Sequence, residues 1–131
     1  MKKIAVLFVF LFLISASIIA HPPSDIIITF DLKNRTVTAN IMHDVKDILT
    51  HYIAQVVIMV NGKKEITQLA STQTSNDSQT VVYVIPGLKV GDVVSVDADC
   101  SKYGDLTKEA KVQEVKTNKQ ISVKKIKPIV K

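Results

Sequence analysis

Tyr52-Ile53-Ala54-Gln55-Val56-Val57-Ile58-Met59-Val60-Asn61-Gly62-Lys63-Lys64-Glu65-Ile66-Thr67-Gln68-Leu69-Ala70 reads as a β-hairpin. Tyr52–Val60 is a β-branched run, Asn61-Gly62 is the dipeptide that accepts the positive φ angles of a tight two-residue turn, and Glu65–Ala70 carries the chain back. The same pattern extends outward in both directions. Upstream, Ile26–Phe30 is a short apolar run after Pro22-Pro23, and Thr36–Met42 alternates so that Val37, Ala39 and Ile41 share a face, with His43 next in that series. Downstream, a polar loop Ser71–Ser78 leads into Gln79–Ile85, which Pro86-Gly87 closes. Val93–Cys100 alternates again: Val94, Val96, Ala98 and Cys100 point one way, Val93, Ser95, Asp97 and Asp99 the other, so period 2 turns the thiol inward and the acids to water. Leu106–Val112 and Gln120–Ile126 supply further strands. Seven or eight short strands at regular spacing, with turn chemistry between them and no helix-period segment, predict an all-β fold, an immunoglobulin-like β-sandwich.

The first twenty residues belong to a different kind of segment. Lys2 and Lys3 form a charged start, Ile4–Ile14 an apolar stretch too short to favour a membrane-spanning helix, and Ser15–Ala20 a region of small residues. This is the pattern of a secretory signal peptide over 1–20, cut after Ala20, and it predicts a periplasmic or secreted protein whose single domain spans 21–131.

Without Lys2 and Lys3, the excess of 17 basic over 12 acidic residues shrinks to +3, too small and too scattered for a nucleic-acid-binding surface. The lysine-rich tail after Val112 reads as a solvated last strand and a frayed end. No Gly-x-Ser-x-Gly or phosphate-cradling glycine loop occurs, and Asp97 with Asp99 reads as the wet face of a strand, so hydrolytic chemistry finds no constellation here.

Attention therefore falls on three histidines and one cysteine. His21 follows the predicted cut, His43 and His51 flank a short loop, and Cys100 ends a strand. One cysteine permits no intramolecular disulfide, leaving Cys100 as a metal ligand, a reactive thiol, an intermolecular bridge or a small buried hydrophobe. Imidazole with thiolate suits iron, copper or zinc, and the lack of paired carboxylates close by disfavours calcium or magnesium. A histidine ending one strand, another opening the next and a thiolate from a third can meet at one ion. On that basis His21, His43, His51 and Cys100 are the candidate metal ligands.

Ile41-Met42-His43-Asp44-Val45, Thr50-His51-Tyr52-Ile53, Asn61-Gly62-Lys63 and Cys100-Ser101-Lys102-Tyr103-Gly104 together resemble the non-haem iron domain of superoxide reductases, as in desulfoferrodoxin and neelaredoxin. The likeness runs over most of residues 21–131. In that family four equatorial imidazoles and one axial thiolate hold iron on an immunoglobulin-like sandwich. Matched motif by motif, His43, His51 and Cys100 fall on ligand positions, and His21 stands for the upstream histidine. The chain departs from the pattern in the eight-residue spacing of its loop histidines, where the family has six. Asp44-Val45 replaces Pro-Met, the Glu-Lys that precedes the family's first histidine is lacking, and Tyr103 stands where the last histidine ligand belongs.

The resemblance implies non-haem iron as cofactor, superoxide or another small oxidant as substrate, and a small redox protein as electron donor. An axial Cys100 thiolate would raise electron density on the metal and favour donation to an acceptor opposite it. Two other readings fit the same residues. A free α-amine and ring of His21 would chelate copper, as in exported copper-binding sandwiches that begin with histidine, with Tyr103 next to the site. The His-loop-His-Tyr-Ile stretch with Lys89-Val90-Gly91-Asp92 is also similar to the metal-free immunoglobulin-like subunit of the periplasmic sulfur-oxidation carrier. Oligomeric state leaves no mark in the sequence.

Overall fold

The computed structural model describes residues 21–114; the signal peptide expected over 1–20 and the strand expected at Gln120–Ile126 lie outside them. Seven strands occur among the described residues: β1 (Asp25–Asp31), β2 (Thr36–Met42), β3 (Ile53–Val60), β4 (Lys63–Leu69), β5 (Ser78–Val84), β6 (Val93–Cys100) and β7 (Asp105–Lys111). They form two antiparallel sheets, β1-β2-β5 and β4-β3-β6-β7, in the arrangement of a β-sandwich. The chain passes between the sheets from β2 to β3, from β4 to β5 and from β5 to β6, and the first of these crossovers carries both His43 and His51.

The alternation works as the sequence predicts. Ile26, Val37, Ala39, Ile41 and Val81 from one sheet meet Val56, Ile58, Val94, Val96 and Ala98 from the other in a single apolar cluster, all of them buried. Burying these side chains is the main stabilising contribution to the fold, at roughly 1.5–3 kcal/mol for each Val or Ile fully removed from water. Asn61 and Gly62 take φ of 50° and 80°, the two positive values a tight turn between β3 and β4 needs, and β4 accordingly begins at Lys63, two residues before the expected Glu65.

Ser95 departs from its expected place. It is only 6% exposed, because β6 lies inside its sheet and Ser95 is flanked by Met59 on β3 and Glu109 on β7. Asp97 and Asp99, farther along the same face, are partly exposed.

Two irregularities shape the end of the sandwich that carries the histidines. β3 breaks register against β6 between Ile53 and Gln55, so Ile53 pairs with Cys100 while Gln55 pairs with Asp99. A bulge of this kind bends a strand and re-aims its first residues. It brings the start of β3, and His51 just ahead of it, against the end of β6. The 43–51 loop is tied down separately: His43 and Val45 N–H donate to the carbonyls of Asp77 and Asn76 at 2.9 and 2.7 Å, and Asn76 Nδ2 returns bonds to the carbonyls of Val45 and Lys46. Asp47 organises the turn into His51, its carboxylate accepting from Leu49 N–H and Thr50 Oγ1 and its carbonyl from His51 N–H at 3.0 Å.

Candidate metal centre

His43 extends the inward face of β2 by one more step of two residues, and its ring is completely buried. His51 comes from the Asp47 turn, and Cys100 closes β6. The ligand-capable atoms of His43, His51 and Cys100 all lie within 4.8 Å of one another. Two donors bound to one ion at about 2.0–2.3 Å stand no more than about 4.1–4.4 Å apart even when they are opposite each other, so the three side chains already occupy nearly one coordination sphere. His51 Nε2 is 3.0 Å from Cys100 Sγ, close to the roughly 3.1 Å expected of nitrogen and sulfur at right angles around one ion.

His21 joins the group by its ring. The His21 centroid lies 5.2 Å from that of His43 and 5.4 Å from that of His51, with the two latter 4.7 Å apart, all packed edge to face. Its Nδ1 is 3.0 Å from the Pro22 carbonyl, and its own carbonyl oxygen lies 3.3 Å from His43 Nε2. The converging donor set of three therefore holds His43, His51 and Cys100, with His21 forming the adjoining wall. Pro22 is kept there by Gly104, which closes the turn after β6 by accepting from Cys100 N–H at 2.9 Å. A Cβ on Gly104 would come within 2.9 Å of the Pro22 Cβ. Tyr103, on the same turn, is 70% exposed.

The electrostatics suit coordination. Burial first, and then the charges of His43, His21 and Lys102, lower the pKa of His51, which leaves its ring neutral and able to donate a lone pair at neutral pH. The backbone N–H of Lys102 points at Cys100 Sγ at 3.4 Å. A cleft of about 430 Å³ opens beside the group, lined by His21 and His51 together with Asp44, Val45, Lys46, Asp47 and Thr50, and gives small solutes a path to it.

The structure adds one residue that sequence reasoning passed over. Gln73, in the loop read as merely polar, is 3% exposed, and its carboxamide lies 2.9 Å from His43 Nδ1. A glutamine among Ser, Thr and Asn gives no local signal of burial, because tertiary docking of the loop onto 43–46 puts it there. Asp97, Asp99 and Asp105 also cluster. Asp99 has its pKa raised by burial, then by the two neighbouring acids, but Asp97 accepts from Thr107 Oγ1 and Asp99 from Gln55 Nε2, which agrees with a solvated strand face.

No protein-family model, curated protein or solved structure matches this chain. The geometry of the side chains carries the functional argument.

Proposed function

We propose that the protein is an exported non-haem iron protein of superoxide-reductase type, with His43, His51 and Cys100 as ligands and His21 completing the set. The observation that carries this reading is the convergence of two imidazoles and the chain's one thiol at a single end of the sandwich, within 4.8 Å. The order of the seven strands is compatible with the immunoglobulin-like sandwich that the resemblance implies. When bound, iron would supply one electron to superoxide, which takes up two protons and leaves as hydrogen peroxide; a small redox protein would return the electron. The chain's own residues do the rest. His51, kept neutral by burial, and the buried His43 would hold the metal by their rings, Cys100 would hold it by sulfur and add electron density to it, and the cleft beside Lys46 and Thr50 would admit the anion. Metal analysis of protein purified from its native compartment tests the reading, together with the visible spectrum of the oxidised iron form. A thiolate-to-iron band present in the wild type and absent in Cys100→Ser is the expected result; a band that survives the substitution removes Cys100 from the ligand set.

Copper is a second reading, favoured by one observation: the His21 ring packs against both other imidazoles. If cleavage falls after Ala20, the α-amine of His21 lies on the residue that already adjoins the donor group, and amine and ring together suit that metal.

A further inference from the structure

The buried Gln73 makes three short polar contacts around one histidine. Its Nε2 lies 2.8 Å from the carbonyl of His43 and 2.7 Å from that of Ser75, and its Oε1 lies 2.9 Å from His43 Nδ1. Two carbonyl oxygens can only accept, so they claim both hydrogens of the amide and fix which end of the carboxamide is nitrogen. Turning the amide over would set its oxygen against two carbonyl oxygens at those same distances, inside the protein. The Oε1 that remains can only accept, and His43 Nδ1 must be the donor.

A neutral imidazole carries one hydrogen. With it on Nδ1, the lone pair lies on Nε2, the nitrogen that faces the His21 carbonyl oxygen at 3.3 Å. Two acceptors then face each other at the rim of the donor group, an arrangement that a cation between or beside them relieves. We propose that Gln73 is a positioning residue for the metal centre: it commits His43 to the Nδ1–H form, leaving Nε2 as the only nitrogen free to bind the ion. The same amide ties the 71–78 loop to the site through the His43 carbonyl, while its bond to Ser75 holds the loop on itself, so loop docking and ring orientation are set together. Histidine ligands commonly donate their second N–H to an outer partner of this kind, and losing the partner typically weakens metal binding about 10- to 100-fold.

The inference rests on the metal reading for its affinity arm only. The test is a long-range ¹H–¹⁵N correlation spectrum of the histidine rings in metal-free protein near pH 8, where an ordinary imidazole is neutral, paired with titration of cobalt(II) into wild type and Gln73→Leu. Expected are an Nδ1–H ring for His43 in the wild type, loss of that form in Gln73→Leu, and cobalt binding weakened about 10- to 100-fold in the variant. An Nε2–H ring for His43 in the wild type overturns the proposal, and that measurement stands even if Gln73→Leu fails to fold. A folded Gln73→Leu that keeps both the Nδ1–H form and full cobalt affinity overturns it as well. If the tautomer is as expected but wild type takes up no cobalt, the metal reading falls while the hold of Gln73 on the ring stands.

Discussion

Substituting Gly104 by alanine should loosen the N-terminal lead-in from the site, and its cost can be worked from two geometric facts. Gly104 sits at φ of 82°, a left-handed conformation that costs an L-residue about 1–2 kcal/mol. The new Cβ would also stand 2.9 Å from the Pro22 Cβ and 3.4 Å from its Cγ and Cδ. Carbon atoms attract best at about 3.5–4.0 Å, so the first contact is repulsive. Because Pro22 is exposed and can swing outward, the overlap adds on the order of 1 kcal/mol, the low end for overpacking, and the total loss is about 2–3 kcal/mol. Urea unfolding of wild type, Gly104→Ala, Pro22→Gly and the double variant separates the two parts. Removing the Pro22 Cβ abolishes the overlap but not the backbone strain, so the double variant should recover on the order of 1 kcal/mol relative to the sum of the single effects. The effect of Pro22→Gly on the unfolded chain cancels in the cycle. A Gly104→Ala cost under about 0.5 kcal/mol, or strictly additive effects, refutes the account of how the lead-in is held.

Two further outcomes follow from other parts of the molecule. Burial pushes the hydroxyl of Tyr83, which donates to Gln68 Oε1, up to about 12. In the unfolded chain a phenol loses its proton near pH 10, so between about pH 10 and pH 12 the native state binds more protons and stability falls as pH rises; this fall should be smaller in Tyr83→Phe, and equal slopes of urea midpoint against pH in the two proteins would contradict it. For the N-terminus, one extra residue placed before His21 removes the free amine of a processed chain while keeping the ring. Copper retention should drop sharply if amine and ring chelate together, whereas iron binding through the ring should persist; unchanged retention of copper in the extended form excludes amine chelation.

Much of this architecture is legible because alternation and turn chemistry are local. Val37-Thr38-Ala39-Asn40-Ile41 states its inward face without reference to the rest of the chain, and continuing the count by two reaches the buried His43. Asn61-Gly62 states the hairpin in two residues. What the sequence does not display is set by long-range docking. The bulge between Ile53 and Gln55 depends on the pairing of β3 with β6, Ser95 is covered because its strand is central, and Gln73 is buried because its loop folds onto residues 43–46. The approach of Pro22, which refuses a side chain at Gly104, is likewise a contact between distant parts of the chain. Tyr103, placed beside the site by motif position, turns its ring mostly to water.

X-ray absorption at the metal edge of purified, metal-loaded protein tests the central claim most directly, because it counts sulfur and imidazole neighbours without reference to activity. The account predicts one ion per chain with a single sulfur and at least two imidazoles at about 2.0–2.4 Å, the sulfur disappearing in Cys100→Ser. Metal that is not retained by the purified protein, or that is bound by oxygen and nitrogen alone with no sulfur neighbour, would contradict it.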